Sequence, residues 1–310
     1  MPDVKPNTLP PVPKAYERFG PVRGFHPKPF EELDWFIKGK GGRGKSNFIS
    51  SFKECLHLDV GGSAHSTVNT EAVRLPAKGN LSYGTLMDIV TQLVRDGDEA
   101  KGNPDKLPFR SVAIDCVDEV VSLFAADYLG GHNPTGKTYE SLPEAGDGRR
   151  IYGILYGRLL KVLTELTARG YALILACHER DKEIQVPNVE GRLDVVTVTE
   201  PAVGASLAGT LEALCDISAV LMPKTVIEKT PRTIKLPSGE KTIFDEKSVT
   251  RTVMQVECSA RYDAKRRLHL FRGEIPIPLQ NGWSTVKAFY DEKVVEMKAL
   301  LESGAPIPTL

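Results

Sequence analysis

Trp35-Phe36-Ile37-Lys38-Gly39-Lys40-Gly41-Gly42-Arg43-Gly44-Lys45-Ser46 is the stretch on which the reading of this chain turns. Leu33, Trp35 and Ile37 are alternate apolar positions leading into a glycine-rich turn. Gly39 to Ser46 satisfies G-x-x-x-x-G-K-[ST] at every fixed position, and Asn47 to Lys53 reads as the start of a helix. Strand, glycine loop and helix in that order are the setting of a phosphate-binding loop. Glycines let the backbone curl until several N–H groups face one anion, and the helix N-terminus adds partial positive charge there. The spacing predicts a nucleoside-triphosphate cradle made by Gly39, Gly41, Gly42, Arg43, Gly44, Lys45, Ser46 and Asn47. Lys45 would reach the β- and γ-phosphates, and the Ser46 hydroxyl would ligate Mg²⁺. A flexible basic turn is the alternative, and the flanking strand and helix weigh against it.

Downstream, Cys55 to Val60 reads as a second buried strand, with a short third one at Ala72 to Leu75. Tyr83 to Arg95 has helical periodicity. Phe109 to Asp115 is a hydrophobic strand ending in an acid, the Walker-B pattern, and Asp115 is expected to share the metal with Ser46. Asp118 and Glu119 follow at once. Either is a candidate to polarise the attacking water; both are also explained as acids in a first helical turn. After a polar loop from Gly130 to Gly148, Arg149 to Arg169 carries a wide apolar helical stripe that Gly170 stops. Tyr171 to Cys177 is wholly apolar, as a parallel strand covered on both faces should be. His178 stands just past its carboxyl end, where open α/β sheets bind ligands, and is a candidate to sense the γ-phosphate.

The C-terminal part changes character. Leu193 to Val198 is expected as a strand, Ser206 to Leu214 as a helix and Asp216 to Met222 as a strand. Thr233 to Leu236 and Lys241 to Phe244 read as a β-hairpin around Pro237-Ser238-Gly239-Glu240, with Val249 to Cys258 as a third strand. The basic cluster Ser259 to Leu268 then supplies Arg261, Lys265 and Arg266. These are candidates for a phosphate contact, in cis or across a subunit boundary, or for a nucleic-acid contact; a solvated turn is the alternative. Ser284 is a candidate cap for a terminal helix from Thr285 to Leu301.

Composition narrows the classes. The chain has 310 residues, 41% hydrophobic and 26% charged, which suits one sizeable α/β domain. Forty basic residues balance forty acidic ones, so a globally basic nucleic-acid binder is not indicated. Aromatic residues are only 7%, and no aromatic-rich stretch for stacking on bases is visible. Five scattered cysteines without a C-x-x-C suit buried thiols better than disulfides or zinc. No apolar run approaches membrane-spanning length and no signal-peptide pattern opens the chain, which points to the cytoplasm and away from a membrane. The proline-dense first thirty residues favour an extended arm over a helix.

With these pieces in order, the chain resembles the compact RecA-like ATPases of bacteriophages, single-strand annealing or recombination proteins related to RecA and KaiC cores. The resemblance runs over roughly residues 33–282 and rests on GKGGRGKS, SVAIDCVDE, LILACHER, LCDISAVL and ARYDAKRRL. It implies an α/β fold with a mostly parallel central sheet, helices on both faces and a β-hairpin extension. The expected organisation is an N-terminal arm over residues 1–30, an ATPase core over 31–282 with a hairpin insertion around 231–258, and a helix and tail over 283–310. It implies ATP and Mg²⁺ as cofactors, and beside it the motifs themselves make Lys45, Asp118, Glu119 and His178 the catalytic candidates. It also implies single-stranded DNA and a single-strand binding protein as partners, homo-oligomerisation, and the host cytoplasm as location if the protein is phage-encoded. One departure stands out. RecA carries its water-activating glutamate just after the strand that follows the loop helix, where this chain reads HLDVGGSAHS with Asp59 and two glycines. Asp118 or Glu119 takes the role, or the chain is a nucleotide-gated binding module with little hydrolysis. A kinase or a helicase subunit is the remaining alternative.

Overall fold

The apolar run before the glycine loop becomes β1 (Trp35–Gly39), and every residue of it is buried. The computed structural model describes residues 26–62, 64, 67–187, 192–236, 239–256, 265–266, 271 and 273–303. After the loop come α1 (Lys45–Ile49), β2 (Cys55–Asp59), β3 (Val73–Leu75), α2 (Tyr83–Ala100), β4 (Ser111–Asp115) and α3 (Val117–Leu129). Then follow α4 (Leu142–Ala145), α5 (Gly148–Thr167), β5 (Ala172–Pro187), β6 (Leu193–Pro201) and α6 (Ala205–Leu214). The chain closes with β7 (Ile217–Leu236), β8 (Gly239–Gln255), β9 (Lys265–Arg266), β10 (Glu274–Ile277) and α7 (Gly282–Ser303).

The strand order is β10-β8-β7-β1-β5-β4-β2-β3, with β6 on β5 and β9 on β7. From β7 to β3 every pairing is parallel. Side chains of successive strand residues point to opposite faces, so β1 feeds two cores. Phe36 joins Leu58, Ile114, Leu175 and residues of α2, α3, α5 and α6 on one face. Trp35 and Ile37 join Ala113, Ile174, Ala219 and residues of α1 and α7 on the other. The expected α/β architecture, a mostly parallel sheet with helices on both faces, is what forms. Much of the second core is aromatic: Phe30, Trp35, Phe48, Phe52, Phe271 and Tyr290 meet ring to ring. The scarce aromatic residues are therefore spent largely on packing.

Five local expectations need correction. Helix α1 stops at Ile49 instead of reaching Lys53, and the Ser51 hydroxyl donates to the Phe48 carbonyl at 2.6 Å, ending the turn locally. The four segments expected as strands between Asp216 and Cys258 are two long ones, β7 and β8, paired antiparallel from Val220–Gln255 to Leu236–Gly239. Lys224, Thr225, Lys229, Thr230 and Lys247 are exposed along a ribbon, so no core pattern marks its continuity. Beyond Val220 the strand has left β1, and Pro223 and Pro231 are tolerated there because β8 is the only partner among the described residues. From Pro223 to Leu236 the ribbon spans roughly 45 Å at strand rise. Likewise β5 does not end at Cys177; from Glu179 onward it pairs with β6 as a second ribbon. Finally, α7 begins at Gly282, which puts Ser284 inside the first turn, where it caps nothing, and α4 interrupts the expected loop before Gly148.

Candidate nucleotide-binding site

Topology brings the predicted residues to one end of the sheet. Strand β5 lies between β1 and β4, with Gly39 level with His178 and Ile114 level with Leu175. The loop after β1, the acid ending β4 and the histidine of β5 therefore share one rim. The loop is curled: Gly44 sits at φ 87°, a backbone conformation that side chains other than glycine rarely take. Lys45 folds back over it, its ammonium donating to the Gly39 carbonyl at 2.6 Å and the Lys40 carbonyl at 3.2 Å. A cavity of about 360 Å³ above the loop is lined by Gly41 to Asn47, Asp115 and His178.

Asp115 is 1% exposed and faces the Ser46 side chain across the loop. Burial alone would raise its pKa; His57, Cys116 and Ser46 together outweigh it and hold the carboxyl below its usual value. His57 reaches it with Nε2 at 3.2 Å, while His57 Nδ1 lies 3.2 Å from the Ser50 hydroxyl. With Asp115 ionised, Nε2 carries the proton it donates, and in the neutral ring Nδ1 accepts from Ser50. Sequence reading missed His57; its signal was a polar residue between Leu56 and Leu58 in a buried strand.

The two acids after β4 have different surroundings. Asp118 takes the His178 backbone N–H at 3.0 Å and its Nδ1–H at 2.9 Å. Burial would raise the Asp118 pKa, yet the His178 bonds lower it; the same bond raises that of His178 against its own burial. Glu119 accepts the Cys116 N–H at 3.3 Å, capping α3, and burial raises its pKa. Its carboxylate lies against Gly61: a Cβ there would stand 2.3 Å from Oε1. The segment just after β2, which carries glycines and no glutamate, is thus supplied with a carboxylate from α3. Asp59 is spent on structure, accepting the Ala64 N–H at 3.0 Å.

Cys116, Asp118 and His178 also converge within 4.8 Å. The thiol, though, donates to Asp115 at 2.9 Å, and burial together with that carboxylate pushes its pKa up. A thiol so held is a poor ligand for a soft metal, which needs the thiolate. The other described cysteines, Cys55, Cys177 and Cys215, are buried and in no disulfide, and Cys258 lies outside the described residues.

The basic cluster is placed only in part. Arg261 lies outside the described residues. Lys265 and Arg266 form β9, level with Ser218 and Ile217. Ile217 is level with Trp35, so β9 sits at the end of the sheet away from Gly39 and the loop. That backbone placement disfavours a phosphate contact within the same chain. Residues 1–25 of the expected arm also lie outside the described residues. No described helix is long and apolar enough to cross a membrane.

The expected cradle residue Asn47 joins two residues the sequence did not mark, Asn69 and Leu279, and ties the loop helix to the C-terminal segment. Asn47 donates to the Leu279 carbonyl at 2.5 Å and accepts the Val68 N–H at 3.0 Å. Asn69 donates to the Asn47 and Leu279 carbonyls at 2.8 and 3.1 Å and accepts the Asn281 N–H.

Comparison with known proteins adds a family. The model of a family described as an AAA domain matches residues 31–268. No curated protein matches. Among solved structures, the chain aligns with a KaiC-like protein of the hyperthermophilic archaeon Pyrococcus horikoshii OT3. The identity is 11%, over 81% of this chain and 88% of that one, with a TM-score of 0.36.

Proposed function

The chain belongs to the AAA domain family, and from that premise we propose that it is an ATP-binding RecA-like NTPase that works on single-stranded DNA in recombination or replication. The observation that carries the nucleotide reading is that Ser46 and Asp115 line one cavity beside a curled loop whose lysine is buried. Hydroxyl and ionised carboxylate are the oxygen donors a hard divalent cation takes, so Ser46 and Asp115 fit Mg²⁺. When bound, Mg²⁺ would neutralise charge on the phosphates. The loop amides and Lys45 orient the triphosphate. Glu119, brought into the notch left by Gly61, orients the attacking water and takes its proton. Asp118 holds His178 at the rim of the phosphate cavity, where its state can follow the γ-phosphate into the β5–β6 ribbon.

The DNA role rests on the sequence resemblance, as do a single-strand binding protein as partner and assembly into homo-oligomers with Arg261, Lys265 or Arg266 facing a neighbour. A second reading is a nucleotide-gated binding module with slow turnover. The engagement of Asp118 by His178 and of Glu119 by the α3 cap favours it. ATP turnover with and without single-stranded DNA separates the two. DNA-stimulated hydrolysis that Lys45→Ala abolishes supports the first; tight ATP binding without turnover supports the second. ATP binding undiminished in Lys45→Ala would defeat both.

A further inference from the structure

Two cavities adjoin above the loop. The phosphate cavity has Asp115 and His178 in its lining, beside Arg43 and Lys45 of the loop. A larger one, about 620 Å³, is lined by Thr250 to Thr252 of β8 and by Pro276 to Pro278, and by neither Asp115 nor His178. Gly44, Asn47 and Leu279 line both. If the terminal phosphate belongs beside the acid and the histidine, the rest of the ligand must leave across the Asn47–Leu279 edge.

That edge is apolar and open. Leu279 is 67% exposed and Val68 is 47% exposed, although both border a polar site. It is also built. Asn69, 7% exposed, holds Leu279 and Asn47 together through their carbonyls, and Asn47 holds Val68. Two asparagines thus fix two exposed apolar side chains at the mouth of the loop. Ligand sites commonly pair an apolar wall with a few placed polar groups.

We infer that Leu279 and Val68, with the larger cavity behind them, form the nucleobase subsite, taking the flat face of an aromatic heterocycle while Asn47 underlies the sugar. This rests on the reading that the loop binds a nucleoside triphosphate. The site uses aliphatic side chains for stacking because the aromatic ones are committed to the core under α7.

The test is calorimetric titration of the full chain with ATP and, separately, with inorganic tripolyphosphate, both with Mg²⁺. The proteins are the wild type, Leu279→Ala and Val68→Ala; both changes are at exposed positions. Removing part of the apolar contact should weaken ATP binding about tenfold in Leu279→Ala, and less in Val68→Ala. Tripolyphosphate binding should not change. Unaltered ATP affinity in both variants, or ATP and tripolyphosphate weakening together, overturns the subsite. So does a wild type that binds the two ligands equally well. A wild type that binds neither ligand overturns the phosphate-loop reading itself, and the subsite with it.

Discussion

His57 Nε2 lies 3.2 Å from Asp115 Oδ2, and both side chains are sealed from water, at 0% and 1% exposure. The imidazole is therefore a support for the acid assigned to the metal. Removing it leaves a buried carboxylate short of a donor. His57→Ala should cost about 2–4 kcal/mol in urea unfolding and raise the Asp115 pKa. Ser50→Ala removes only the hydroxyl that fixes the ring tautomer and should cost about 1 kcal/mol. A His57→Ala protein as stable as the wild type would show the pair to be incidental.

Glu119 offers a test that leaves every charge in place. A methyl group on Gly61 must displace the carboxylate it would touch at 2.3 Å. Gly61→Ala should therefore lower ATP turnover at least tenfold with ATP affinity preserved. Glu119→Gln should lower it by about a hundredfold or more, as loss of a general base does. Single-turnover hydrolysis beside equilibrium binding reads both. If Glu119→Gln hydrolyses ATP as fast as the wild type, another group activates the water.

The His178–Asp118 pair predicts a pH window. His178 has a raised pKa, so its contribution is whole below the ordinary value of 6.5 and fades as pH climbs through the raised one. Asp118 has a lowered pKa, so its contribution is whole above 3.8 and fades as pH falls through the lowered one. The pair is fully present between those two ordinary values. The stability difference between wild type and Asp118→Asn should be about 1 kcal/mol there, since the pair is partly open to solvent, and should shrink at alkaline pH. A difference independent of pH would mean that the histidine stays neutral throughout.

Much of this was legible in the chain because burial writes itself plainly. The run Ala172 to Cys177 is apolar at every position, since helices cover both faces of that strand, and its covered part was readable. The loop was legible because its chemistry is local: Gly39, Gly44, Lys45 and Ser46 act within one turn. Groups joined only by the fold were not. Asn47, Asn69 and Leu279 are far apart in sequence, and nothing in one of them announces the others. Gly61 looked like a missing glutamate because the acid filling its notch comes from another element. The ribbons escaped because a strand exposed on both faces has no burial pattern to read; Val195 and Ile227 are each more than 60% exposed.

Lys38 follows the apolar positions of β1 and is, with Lys45, one of two buried lysines beside the loop. It is 2% exposed and bonds Glu212 of α6 at 2.6 Å, whereas Lys45 turns to the loop carbonyls. Position within the motif and direction in space agree that only Lys45 serves the phosphates. Lys38→Met should therefore bind ATP like the wild type, with stability changed by less than about 1.5 kcal/mol, because a similar volume replaces a buried charge. Glu212→Ala alone leaves the ammonium without its carboxylate and should cost about 2–4 kcal/mol. Adding Lys38→Met to Glu212→Ala should recover most of that loss, because the charge that needed the acid is gone. Urea unfolding of the two single variants and the double variant gives the coupling, and ATP titration of Lys38→Met gives the assignment. Loss of ATP binding in Lys38→Met with the fold intact would move the phosphate-binding role to the wrong face of β1 and break the account of the loop.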